Sequence, residues 1–352
     1  MIDTRGPISF REFFDFVLYE PENGYYSRPE EVRTGREGDF FTAVSVGSLF
    51  GRILARSAQR VWKELAEPEC FRIVEWGAEQ GDLARDISAG IAEIGGAFEQ
   101  AVQYAVVEPI TKKAAYLRTQ LPSVEVVGSA SELLPMPGLV IANELIDALS
   151  FWLIRFEEGK WLEKRVAKRE PEEGEEAEGA LAFVLTEPEP ELARRLDILQ
   201  GLGNRFSEGY ETEIRPSLSD FLSEMASVLS AGEVLLIDYG YEHDDYYHPG
   251  RSTGTLRTYG KHESGEDPLQ NLGQLDLTAH VDFTLLAQDG EEAGLVAQEL
   301  QSQGSFLTHA AMDLLRSQEG QVDPDLIRQF QTLTHPAHLG SRFWVQRFAV
   351  KN

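Results

Sequence analysis

The stretch Phe71-Arg72-Ile73-Val74-Glu75-Trp76-Gly77-Ala78-Glu79-Gln80-Gly81-Asp82 decides the fold. Phe71 to Glu75 is a short apolar run, the pattern of a parallel strand covered on both faces. Gly77 to Gly81 supplies a tight turn, and Asp82 to Ile94 carries helical apolar spacing. A strand, a glycine turn and a helix in that order open a doubly wound α/β sheet.

The same rhythm continues on both sides. Tyr104 to Val107 reads as a second strand ending at Glu108, followed by a helix from Lys112 to Gln120. Val124 to Val127 is a third strand, and Leu139 to Ala142 a fourth that ends at Asn143 and Glu144. Strands alternating with helices imply a mostly parallel sheet. A helix from Ser217 to Leu229, closed by an Ala231-Gly232 turn, leads to a strand from Val234 to Ile237. Phe343 to Val350 reads as the last strand. Upstream, Ser9 to Tyr19 is a helix with Ser9 and Glu12 at capping-box spacing and Ile8 stapled to Phe13. Ser48 to Leu65 is a second helix.

One segment breaks the rhythm. Phe151 to Val166 alternates on both sides of Glu157-Glu158-Gly159, a hairpin signature. A strand over Ala180 to Leu185 and a helix over Glu189 to Leu199 complete an insertion. The expected organisation is therefore an N-terminal helical extension with a covering loop (1–65), a Rossmann-like half (66–150), an inserted hairpin and helix subdomain (151–215), and the second half of the sheet with long loops (216–352).

Composition limits the function classes. With 42% hydrophobic residues the chain can bury a sizeable core. The single cysteine, Cys70, excludes a disulfide framework and multi-cysteine zinc sites. His243 with His248, or His335 with His338, has no recognised metal spacing, so no metal is expected. The absence of a long apolar run argues against a membrane span. The opening residues lack a signal or transit pattern, so a cytoplasmic protein is expected. The net charge of −27 opposes nucleic-acid binding; it either favours a basic partner, a basic protein substrate for example, or serves solubility or a salty habitat.

Ligands of open parallel sheets bind beyond the carboxyl ends of the strands. Glu75 with Gly77 and Gly81, then Glu108, then Asn143, Glu144 and Asp147 stand there. A glycine turn lets backbone approach a ligand. An acid ending the second strand accepts ribose hydroxyls. Glu75 can accept from an ammonium group. An adenosine carrying an amino acid, S-adenosyl-L-methionine (SAM), suits these groups. NAD suits them less, because Glu79 and Asp82 repel phosphate where the helix begins.

Several blocks then carry a family resemblance: Pro21-Glu22-Asn23-Gly24-Tyr25-Tyr26, Gly38-Asp39-Phe40-Phe41-Thr42, Ala142-Asn143-Glu144-Leu145-Ile146-Asp147-Ala148-Leu149, Ile237-Asp238-Tyr239-Gly240, Gly254-Thr255-Leu256, Asp276-Leu277-Thr278-Ala279-His280-Val281-Asp282-Phe283 and Leu333-Thr334-His335-Pro336. In this order the chain resembles the MidA-like SAM-dependent methyltransferases, a family that includes an arginine-methylating assembly factor of mitochondrial complex I. The resemblance implies a class I methyltransferase fold with a seven-strand sheet, SAM as cofactor and a protein arginine as substrate. It also implies that Gly38, Asp39, Phe40, Thr42, Gly77, Gly81 and Glu108 lie at the cofactor, and that Asn143, Glu144 and Asp147 face the transfer site.

Two departures stand at the cofactor. The family's Glu-x-Gly-x-Gly-x-Gly has Glu79 in place of its middle glycine, and Ala43-Val44-Ser45 replaces a Pro-Glu pair. If position 79 has positive φ, glutamate is strained where glycine is not; otherwise it points to solvent. Three functions follow: an active methyltransferase, a non-catalytic relative kept as a binding or assembly module, or a protein for another adenosine ligand. Glu144 and Asp147, three apart, share a face on a helical turn and can fork a guanidinium. Alternatively, Asn143 caps a helix there. His280 and Asp282, two apart, share a strand face; they either shape a substrate pocket or bond structurally.

Overall fold

Phe71–Trp76 forms a strand, β1, with all six residues buried. Further strands follow at Val102–Val107 (β2), Glu125–Val127 (β3), Met136–Asn143 (β4), Leu229–Tyr241 (β5), Leu295–Ala297 (β6) and Phe343–Val350 (β7). Their spatial order is β3-β2-β1-β4-β5-β7-β6. β1 to β5 pair in parallel, and β7 runs antiparallel to both β5 and β6. These seven strands are the path expected of a class I methyltransferase sheet; further two-residue strands pair off it, among them Gln301–Ser302 on β7.

Strand order reverses between β1 and β4: β2 and β3 lie to one side, β5 to the other. A crevice at such a reversal is where doubly wound sheets take their ligands. The strands end level there, with Trp76 opposite Val107 of β2 and Ala142 of β4. Helices Leu49–Glu64 (α1) and Asp82–Ile94 (α2) bury Phe50, Ile53, Leu83 and Ile87 against Ile73 and Ile141. Helix Thr111–Gln120 (α3) packs Leu117 with Leu121 and Val106 in a separate cluster.

The computed structural model describes residues 2–28, 42–169, 180–202, 205–260, 263–265, 267–312, 314 and 323–351. Two units form. Residues 29–146, 218–240 and 283–352 make the sheet unit, and residues 1–28, 147–217 and 241–282 make the other. These boundaries cut across the four contiguous segments expected from the sequence. In the second unit, Ile8–Ser9 pairs with Val166 and Arg165 of the inserted strand Lys160–Lys168. Phe10 and Phe14 of helix Phe10–Tyr19 then pack on Phe151. The N-terminal helix thus shares a core with the insertion. Its capping box forms as the spacing predicts, with both Ser9 and Glu12 bonds present. The hairpin forms too, as Trp152–Glu157 against Lys160–Lys168, flanked by Leu181–Thr186 and Glu211–Ile214.

One turn is corrected. The helix near residue 217 is Ser219–Ser227, and no Ala231-Gly232 turn closes it. β5 already begins at Leu229, with a bulge before Ala231. A Cβ on Gly232 would stand 1.8 Å from the Gly138 carbonyl oxygen of β4. The glycine serves close strand pairing rather than a turn.

Candidate active site

In the sheet unit, β1 runs into the loop Gly77–Gly81 and then α2. Gly77, Glu79 and Gly81 all have positive φ, at 70°, 47° and 79°. The condition for strain at Glu79 is therefore met; a left-handed L residue costs roughly 1–2 kcal/mol. A Cβ on Gly77 would lie 2.8 Å from Leu145 Cδ1, so the turn after β4 closes over the loop after β1.

Glu79 does not point idly to solvent. Its Oε2 lies 2.6 Å from Lys113 Nζ, and the Lys113 side chain is 6% exposed. Lys113 sits in the first turn of α3 and also stands 3.7 Å from Glu108 Oε2. Glu108 is buried just beyond β2, and its Oε1 accepts from the Ile110 amide at 2.9 Å. Burial pushes its carboxyl up; the Lys113 charge and the Ile110 bond oppose that, and Glu79 adds to it. Sequence reasoning missed Lys113. The available signal was spacing: Lys113, Leu117 and Leu121 recur every four residues, a lysine on a buried stripe.

Glu75 lies inside the sheet. It accepts from the Tyr104 hydroxyl at 2.7 Å. Burial pushes its carboxyl to about 7, and the Tyr104 bond only partly offsets this. Its protein partner is therefore a hydroxyl of the neighbouring strand.

After β4 no helix forms. Residues 144–149 are irregular, with bends and a turn, so Glu144 and Asp147 do not share a helical face and Asn143 is not an N-cap. Glu144 takes φ 50°, a conformation that ends the strand instead of starting a helix. Its amide donates to the Ile237 carbonyl at 2.8 Å. Asp238, at the end of β5, accepts from the Ile146 amide at 2.9 Å and so brackets the same turn. Asn143 Nδ2 donates to Glu144 Oε1 at 3.2 Å. The buried Asn143 Oδ1 has no hydrogen-bond partner among the described residues.

In the second unit Asp147 is buried, and Arg215 binds its carbonyl and those of Leu149, Ala279 and His280. That guanidinium ties together parts of two of the blocks that carry the family resemblance. His280 and Asp282 take different partners, contrary to a shared strand face, because the strand is only Val281–Asp282. The His280 ring packs on Tyr241 at 5.1 Å. Burial, then Arg257, Arg251 and Arg215, lower it to about 3, so it is neutral. Asp282 Oδ2 instead lies 2.6 Å from His243 Nδ1. Gly38, Asp39 and Phe40 lie outside the described residues. Thr42 is buried, and its amide donates to Ser45 Oγ at 2.9 Å.

Residues 53–301 match the S-adenosyl-L-methionine-dependent methyltransferase family Methyltransf_28. The chain belongs to this family. Among its relatives, "Protein arginine methyltransferase NDUFAF7 homolog, mitochondrial" of Drosophila melanogaster is 29% identical over 97% of this chain and 81% of its own length. The human "Protein arginine methyltransferase NDUFAF7, mitochondrial" is 25% identical over 97% and 80%. A solved structure from Burkholderia thailandensis, bound to S-adenosyl-homocysteine, is 29% identical with a TM-score of 0.82, covering 99% of this chain and 89% of that one. This methyltransferase therefore takes SAM as cofactor, and the reading as a protein for another adenosine ligand is set aside. The cytoplasmic expectation is corrected: the relatives are named mitochondrial. A missing transit pattern in the first residues does not determine a compartment.

The residues fit the cofactor. Glu108 directly follows β2, the position from which doubly wound sheets hold a ribose. Asn143 Oδ1 has acceptor capacity to spare. Lys113 neutralises the one acid that intrudes on the loop.

Proposed function

We propose that this methyltransferase acts on the guanidino group of a protein arginine in a basic segment. The observation that carries the reading is Glu144. Its carboxylate stands directly after β4, on a turn whose Leu145 covers Gly77 of the cofactor loop. When bound, SAM supplies an electrophilic methyl group on a sulfonium. Glu108 accepts the ribose hydroxyls, and Asn143 Oδ1 accepts from the ammonium. Glu144 accepts paired N–H bonds from the substrate guanidinium and so aims its remaining nitrogen. The names of the relatives support the substrate class. The charge of −27 supports a basic partner through steering.

The test uses methyl-labelled SAM, the full chain and a basic arginine-rich protein, followed by acid hydrolysis. Label in methylarginine is expected. Label that persists when every arginine of the substrate is replaced by lysine would sink the proposal.

A further inference from the structure

We propose that Lys113 is a positioning residue of the cofactor site, and that Glu79 replaces a glycine because it holds the Lys113 ammonium off Glu108. The inference rests on SAM binding at the Gly77–Gly81 loop. Lys113 is buried and five residues beyond Glu108 in the chain. Glu79 holds it by a charge-assisted bond at 2.6 Å, which leaves it 3.7 Å from Glu108 Oε2. Lys113 and Glu108 thus form a longer and weaker ion pair than Lys113 and Glu79. Glu108 Oε1 is already engaged by the Ile110 amide. Oε2 is therefore the oxygen with capacity for a ribose hydroxyl, and it keeps that capacity only while Lys113 is held elsewhere.

Charge leads to the same conclusion. Glu79 and Lys113 pair with each other, which keeps Glu108 as a carboxylate that ribose hydroxyls can engage as donors. Removing Glu79 takes away the shortest ion pair of a buried cation that stands 3.7 Å from Glu108 Oε2. A buried ammonium does not stay without a counter-charge. It would close on Oε2 and displace the ribose. Glycine at position 79, though relaxed for the backbone, is then the worse residue in this chain.

Calorimetry tests this with two ligands, S-adenosylhomocysteine and 5′-methylthioadenosine; the second keeps the ribose and lacks the amino acid. The proteins are the unmodified chain, Glu79→Gly, Glu79→Gln, Lys113→Met and Glu79→Gly/Lys113→Met, each checked by a thermal melt without ligand. Glu79→Gly should weaken both ligands about tenfold or more, the effect of one charged contact. Glu79→Gln, which keeps the shape, should weaken them in the same direction. In the Lys113→Met background Glu79→Gly should cause no weakening. Tighter or unchanged binding by Glu79→Gly overturns the proposal and marks the native loop as impaired. Equal weakening in both backgrounds, or weakening confined to S-adenosylhomocysteine, overturns it as well. If the unmodified chain binds neither ligand, the cofactor reading itself falls, and the proposal with it.

Discussion

Tyr104 donates its hydroxyl proton to Glu75 at 2.7 Å across neighbouring strands of the parallel sheet; Glu75 is buried and Tyr104 half-buried. Buried carboxylates favour the neutral form unless a charge compensates them. Here a phenol hydrogen bond is the compensating contact, and burial still wins, setting the carboxyl near 7. The glutamate that opens the cofactor loop is therefore half-protonated near neutrality.

Stability should fall with pH for this reason. A folded-state value raised from 4.5 to about 7 means the folded chain holds the proton more tightly than the unfolded one. The group's contribution is most favourable below 4.5 and is lost as pH rises toward and past 7. The full penalty is on the order of 3 kcal/mol. Glu75→Gln should be more stable than the unmodified chain at pH 8, with the gap narrowing toward pH 5, in denaturant titrations. A second readout assigns the role. If Glu75 holds the cofactor ammonium, the same variant should weaken S-adenosylhomocysteine; unchanged affinity would leave it as a group of the sheet.

The second unit carries a dependence of the same sign from a different cause. His243 Nδ1 faces Asp282 Oδ2 at 2.6 Å, and Nε2 faces the Ile198 carbonyl at 3.2 Å. A ring between two acceptors is satisfied on both sides only as an imidazolium. Burial opposes that charge, but the Asp282 bond and charge outweigh it and raise the group above its ordinary 6.5. This stabilisation is present below 6.5 and lost as pH rises through the folded value. Asp282→Asn should cost about 1.5–3 kcal/mol at pH 6, the range for a hydrogen bond to a charged group, and clearly less at pH 9. Equal losses at both values would show that the imidazole is neutral.

Local capping gives a prediction that does not involve the cofactor. Ser9 accepts from the Glu12 amide at 3.1 Å, and Glu12 answers to the Ser9 amide at 3.3 Å. Ser9→Ala should lower stability by about 1 kcal/mol in a thermal or denaturant melt. Because the helix belongs to the second unit, the affinity for S-adenosylhomocysteine should be unchanged. A change in affinity without a change in stability would contradict that separation.

The strands that carry the cofactor were legible because each is a short apolar run closed by a polar residue, which is what burial on both faces demands. Glu108, Asn143 and Glu144 could be found by walking to the ends of those strands. Three features were not legible. Glu144 ends the strand in a left-handed conformation, and helical spacing on either side gives no sign of it. His243 and Asp282 are brought together by folding across 39 positions, a pairing no periodicity encodes. Lys113 and Glu79 meet across 34 positions, so the sequence exposed the intruding acid and hid its counter-ion.

Glu144 is the residue on which the transfer step should depend most. It is half-buried, and Asn143 Nδ2 donates to its Oε1 at 3.2 Å. Glutamine keeps the shape and the Asn143 contact but loses the charge that a guanidinium needs. Misplacing a reacting nitrogen by about 1 Å can cost on the order of 10²-fold in rate. Glu144→Gln should therefore lower kcat by about that factor while the affinity for S-adenosylhomocysteine stays within about threefold, since the cofactor's own contacts are untouched. Glu144→Gly serves as the control for backbone strain. It relaxes the left-handed position, so a stability gain with the same loss of rate would separate the two roles. A loss that appears in cofactor affinity rather than in kcat would move Glu144 from the substrate side of the site to the cofactor side.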